Sequence, residues 1–126
     1  MLIKVNPTSE VPIYMQIRKQ IISGIASGDL TAGEHLPPVR QLAFDIGINM
    51  HTVNKAYNIL KSEGYVNING RRGVTIAERT KAEDSDISTI GIMIEEIIDE
   101  ARAKGISDKD FMEMVKGKIL EGGLPK

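Results

Sequence analysis

The chain has 126 residues, of which 41% are hydrophobic and 26% charged, with no cysteine and a formal net charge of −1. This composition excludes a disordered chain, and the lack of cysteine excludes disulfide frameworks, thiolate nucleophiles and cysteine-ligated zinc sites. The length predicts one domain, or one small domain with an appendage.

An amphipathic helix is predicted first, starting after Pro12 and ending near Gly28. Its apolar residues recur at spacings of three and four; they are Tyr14, Ile17, Ile21 and Ile25. A polar, glycine-bearing link over residues 29–34 then leads to Leu36, Pro37 and Pro38, and the prolines pre-set the start of a second helix. We expect His35 to serve this link.

The second and third predicted helices share one core-facing pattern, with apolar residues at i, i+3, i+4 and i+7. These residues are Val39, Leu42, Ala43 and Ile46 in the second helix, and Val53, Ala56, Tyr57 and Leu60 in the third. Asn49 is expected to cap the third helix and Gly64 to end it. Phe44 points away from the shared face, and we expect the C-terminal helices or a partner subunit to cover it.

A hairpin with a basic tip is predicted next, because apolar and polar residues alternate on both sides of the segment 70–73. The tip contains Arg71 and Arg72 between two glycines. These arginines either contact a partner or are merely solvated, and their place in a hairpin tip favours contact. Together the elements predict a winged helix-turn-helix over residues 1–80.

The remaining residues, 81–126, predict a helical hairpin with an apolar seam on its first helix. The seam residues are Ile87, Ile90, Ile94, Ile97, Ile98 and Ala101. Gly105 is expected to end the first helix and Ser107 to cap the second. We expect the seam to join two chains; the alternative is a monomer in which the seam packs within its own chain. The fold class is thus mainly α with a small β-hairpin.

Charge differs between these two parts of the chain. Residues 1–80 contain nine basic and six acidic residues, a net +3, whereas residues 81–126 contain seven and eleven, a net −4. The net charge of the first part is therefore compatible with a polyanionic partner.

The outward side of the third helix carries polar residues, namely His51, Asn54, Lys55, Asn58 and Ser62. These groups suit base edges and phosphates in a DNA major groove. The alternative is an ordinary solvated face, although two asparagines are unusual on one because they are poor helix formers.

Several motifs, spaced in order over about residues 10–77, resemble the GntR family of bacterial-type transcriptional regulators. They occupy residues 13–17, 28–30, 33–43, 49–57 and 63–66. The short tail is similar to the YtrA subfamily, whose C-terminal helices dimerise. With the seam, the resemblance indicates a homodimeric, sequence-specific DNA-binding regulator, a repressor, and the two-fold symmetry of such a dimer requires an inverted-repeat operator. The absence of cysteine fits a reducing compartment, so we expect the protein in the cytoplasm.

The resemblance also implies DNA contacts at Arg40 and at the start of the third helix. With the outward face and the wing, the expected DNA-binding residues are Arg40, Met50, His51, Thr52, Asn54, Lys55, Asn58, Arg71 and Arg72. Arg40 has the alternative of being solvated, and Thr52 that of capping the helix. Met50 departs from the proline or arginine frequent there, and residues 73–76 lack the usual aromatic of the wing.

We expect neither catalysis nor a cofactor. No nucleotide-binding loop or nucleophile elbow occurs, and the two histidines, His35 and His51, lie on different elements, which argues against a metal site. The broken apolar stretches predict neither a membrane span nor a signal peptide.

Two rival functions remain. One is a winged-helix module that binds protein. The other is a ligand-gated regulator with an effector at the dimer interface, although the sequence shows no polar cluster that would bind one.

Overall fold

The computed structural model describes residues 3–78 and 81–122, without the side chain of Arg72. Close contacts divide the chain into two units, residues 1–79 and 80–126. The domain boundary predicted at residue 80 lies outside the described residues.

Three helices form the frame of the first unit and confirm the three predicted helices. They are α1 (Ile13–Ser27), α2 (Val39–Ile46) and α3 (Met50–Ser62). The turn between α2 and α3 begins at Gly47, whose φ of 69° is a left-handed conformation that favours glycine. Asn49 caps α3 as predicted, because its side-chain oxygen accepts a hydrogen bond of 2.7 Å from the backbone N–H of His51.

A three-stranded antiparallel sheet completes this unit. Its strands are β1 (His35–Leu36), β2 (Val66–Ile68) and β3 (Val74–Ile76), in the spatial order β1-β3-β2. The predicted hairpin is confirmed by the pairing of β2 with β3. His35 lies before α2 as expected, but it is part of a strand that the sequence did not predict, because it pairs with Thr75 of β3.

The core of the first unit lies between the three helices and the sheet. Its fully buried side chains come mainly from α1 and α3, and the largest is Tyr57. The Tyr57 hydroxyl donates a hydrogen bond of 2.7 Å to the carbonyl of Pro37, and burial raises the pKa of this phenol far above its usual value. The middle of α3 is thereby tied to the residues just before α2.

Replacing Tyr57 by phenylalanine tests this tie. The variant keeps the ring in the core but removes the only polar atom of the side chain, so the Pro37 carbonyl loses its donor. We expect the free energy of unfolding to fall by about 1 kcal/mol. Urea unfolding followed by circular dichroism measures the change, and an unaltered midpoint would show that water replaces the hydroxyl without loss.

The second unit is a helical hairpin, as predicted, formed by α4 (Asp84–Ala103) and α5 (Asp108–Glu121). The predicted seam starts at Ile87, but α4 begins three residues earlier because Glu83 and Asp86 form a reciprocal capping box. Ser107 caps α5 by accepting a hydrogen bond of 3.1 Å from the backbone N–H of Asp110. Of the helices in the described residues, none combines the length and apolar character that a membrane crossing requires.

Arg102 and Asp108 link the end of α4 to the start of α5. The guanidinium donates two hydrogen bonds to the carboxylate, of 2.9 and 3.0 Å. These bonds lower the pKa of Asp108 and raise that of Arg102. Both side chains are exposed, so the pair orients the turn between the helices and adds little to stability.

Candidate nucleic-acid interface

One side of α3 is buried and the other is polar and exposed. Four side chains are entirely buried, namely Val53, Ala56, Tyr57 and Leu60. The exposed side carries a contiguous row of polar residues, namely His51, Asn54, Lys55, Asn58 and Ser62. Because α3 is held by its apolar side, this row presents amide, imidazole and ammonium groups from a rigid support.

The start of α3 adds an apolar and a hydroxyl side chain to this row. Met50, its first residue, is exposed, and Thr52 is half-buried. Asn49 is the N-cap, so the capping role considered for Thr52 is not the one it has. The first turn of α3 contains no acidic side chain, which leaves its N-terminal dipole free of a competing negative charge.

Arg40 is exposed near the start of α2. The Tyr57 hydroxyl bond described above holds the carbonyl of Pro37, and the next residue, Pro38, is the N-cap of α2. The start of α2 is therefore positioned by α3 itself. This coupling fixes the backbone from which the Arg40 guanidinium extends.

Two side chains of α1, one turn apart, contact charged side chains of α3 and its C-cap. Arg18 donates two hydrogen bonds, of 2.7 and 2.8 Å, to the carboxylate of Glu63 at the end of α3. That contact lowers the pKa of Glu63 and raises that of Arg18. One turn earlier, the ring of Tyr14 lies 4.0 Å from the ammonium of Lys55, measured from the ring centroid. Lys55 is thus the one residue of the exposed row, among the described side chains, with a cation–π contact.

The wing turns through a single 3-10 turn, Gly70–Arg72, between β2 and β3. Arg71 is exposed there, and the side chain of Arg72 lies outside the described residues. Gly73 has φ 81° and ψ −153°, a conformation that residues with a Cβ rarely adopt. The backbone N–H of Asn69 donates to the carbonyl of Gly73 at 2.9 Å, which closes the tip.

The predicted seam on α4 is largely exposed in the single chain. Its exposed residues are Ile87, Ile90, Ile94 and Ile97. Ile98 is half-buried and Ala101 is 7% exposed, so Ala101 offers a partner almost no surface. Apolar residues of α5 continue this surface, and an open groove of about 450 Å³ runs between Ile94, Ile97, Phe111 and Ile119. An apolar surface of this kind is a feature of protein–protein contacts.

Phe44 is 83% exposed in the single chain, as its position off the core face predicts. That the C-terminal helices or a partner subunit cover Phe44 stays a prediction.

Within residues 3–78 and 81–122, no three histidine or acidic side chains are grouped as a metal ion would require.

Sequence reasoning did not single out Tyr14 or the Tyr57 hydroxyl for a role at this surface. The spacing of apolar residues predicts only that Tyr14 lies on the apolar side of its helix and that Tyr57 lies in the core. Their polar or charged partners, Lys55 and Pro37, lie on other elements. A tyrosine at the edge of an apolar stripe is the signal that such a contact leaves in a sequence.

Comparison with known proteins identifies the architecture. Residues 13–76 match the gntR family of bacterial regulatory proteins. The HTH-type transcriptional repressor YtrA of Bacillus subtilis (strain 168) is 32% identical over 117 residues, which cover 91% of this chain and 90% of that protein. The structure of YtrA from Sulfolobus acidocaldarius, a GntR-family transcription factor, is 39% identical with a TM-score of 0.68, covering 82% of this chain and 99% of that one.

A further similar structure contains DNA. The AraR DNA-binding domain in complex with operator ORX1 is 29% identical with a TM-score of 0.52, and the match covers 58% of this chain and 90% of that one. The family match spans α1 through β3, the elements that carry the exposed row and the wing. The chain belongs to the gntR family of bacterial regulatory proteins and is a DNA-binding transcriptional regulator, not an enzyme.

Proposed function

We propose that this regulator binds an inverted-repeat DNA operator as a homodimer and represses transcription in the cytoplasm. The exposed polar row of α3 carries the proposal, because it lies opposite a fully buried side and offers donors and acceptors to base edges. Helix-turn-helix proteins insert into the major groove a helix of this kind, which packs on the core by one side and exposes a polar side. The operator complex of the similar AraR domain and the repressor among the relatives support it.

Different residues take different parts in this binding. Cationic side chains contact phosphates or guanines; they are Arg40, Lys55, Arg71 and Arg72. The polar row reads base edges through His51, Asn54 and Asn58. Met50 and Thr52, at the start of α3, lie where the helix enters the groove. Residues 1–80 are the DNA-binding domain in this proposal.

Residues 81–126 are the dimerisation domain. The exposed isoleucines of α4 form a surface that a second copy would bury by two-fold symmetry, and the net charge of −4 in this part disfavours contact with DNA. Two symmetric recognition helices then require half-sites about 34 Å apart, one turn of the duplex, or a multiple of that distance.

In vitro selection of duplexes from a random pool, followed by footprinting, tests the proposal. We expect an enriched palindrome with two protected half-sites separated by whole turns of DNA. The affinity should fall steeply as the salt concentration rises, because the protein releases counterions from the DNA and this release is less favourable at high salt. Enrichment of unpaired half-sites would contradict the dimer. A pool without any enriched sequence would contradict DNA reading and favour the rival, a winged helix that binds protein.

A further inference from the structure

Lys55 differs from its neighbours in the exposed row of α3 because its charged end rests on another helix. Its ammonium lies 4.0 Å from the centroid of the Tyr14 ring on α1. The negative face of an aromatic ring attracts a cation within about 6 Å. The contact restrains a long side chain that is otherwise free to rotate.

The Tyr14 ring is itself held in place. It is half-buried and packs against the core of the first unit from the first turn of α1. One turn later, the Arg18 guanidinium donates two hydrogen bonds to the Glu63 carboxylate. The helix that carries the ring is therefore joined to α3 at a second point, so the ring is a fixed support and the lysine the adjustable partner.

We infer that Tyr14 is a positioning residue for DNA binding, which holds the Lys55 ammonium ready for an operator phosphate. The inference rests on the proposed function, since it needs the exposed row of α3 to face DNA. The ring covers one side of the ammonium and leaves N–H donors on its other side for the phosphate. Because Lys55 is restrained before the duplex arrives, binding removes less of its freedom of rotation.

A double-mutant cycle on the full chain tests this inference, with a duplex selected by the wild-type protein as the probe. Tyr14→Leu keeps an apolar side chain but removes the ring, and we expect affinity to fall roughly two- to fivefold. Tyr14→Phe keeps the ring and is expected to bind as the wild type does. Lys55→Met should make the negative slope of log affinity against log salt shallower by about 0.9, the value for one lost phosphate contact. In that background, Tyr14→Leu should cause no further loss.

An equal loss from Tyr14→Leu with and without Lys55 would overturn the inference, because the ring would then act through another group. A gain in affinity on removing the ring would also overturn it, since the ring would be withholding the ammonium from DNA. If leucine unfolds the chain, as thermal unfolding would show, Tyr14→Met takes its place in the same cycle. A wild-type chain that selects no duplex would instead remove the proposed function, an outcome seen before any variant is made.

Discussion

Replacing Ile94 by aspartate is expected to turn the proposed dimer into monomers and to lower operator affinity roughly 100-fold or more. Ile94 lies in the middle of the exposed apolar surface of α4 and is 49% exposed in the single chain. A carboxylate there would be buried without a partner when two copies meet, and its desolvation cost opposes association. Each monomer would then bind one half-site without the gain from a linked second one.

Ile92→Asp is a matched control for this prediction. Ile92 is on the same helix and is also exposed, at 56%, but two residues along a helix rotate the side chain by about 200°. Its replacement should leave both assembly and DNA binding unchanged. Sedimentation at micromolar concentration measures assembly for each variant. A wild-type chain that sediments only as a 13.8 kDa species would contradict the dimer itself.

Replacing Arg40 by alanine is expected to weaken operator binding by about 1–3 kcal/mol, roughly five- to 150-fold. Arg40 is exposed near the start of α2, and the Tyr57 hydroxyl bond to Pro37 fixes the backbone that leads to it. If the guanidinium contacts a phosphate, the salt dependence should fall by about one charge; if it contacts a guanine, one position of the operator should lose its preference.

Lys19→Ala serves as the control for Arg40, because Lys19 is an exposed cation on the side of α1 turned away from its buried residues. Removing either side chain lowers the charge of the first part by one, so any non-specific effect of charge is shared. Fluorescence anisotropy with the selected duplex at several salt concentrations compares the two variants. Equal affinities for both would remove Arg40 from the interface and leave the α3 row to be tested by itself.

Much of the fold follows from local signals in the chain. Asn49 and Ser107 were predicted as caps and accept the backbone hydrogen bonds expected of them. The buried side of α3 was predicted from the spacing of four apolar residues, and all four are fully buried. Such signals are readable because a cap or an amphipathic stripe depends on residues within one or two turns.

The missed features depend on contacts between residues far apart in the chain. β1 is two residues long and exists because it pairs with β3, so its own sequence is too short to indicate a strand. The Tyr57–Pro37 bond joins residues 20 apart, and the Arg18–Glu63 pair joins residues 45 apart. Ala101 fits the seam by spacing, but burial within the chain leaves it little surface for a partner.

The sequence by itself determined the order of helices, the hairpin, the family and the polar side of α3, because each is encoded by residue type and spacing along a continuous segment. Only the tertiary structure decided which side chains support that polar side. Tyr14 and Arg18 reach α3 from another helix, and Tyr57 ties α3 to the start of α2. These contacts arise from packing three helices around one core, which brings together side chains that no local pattern connects.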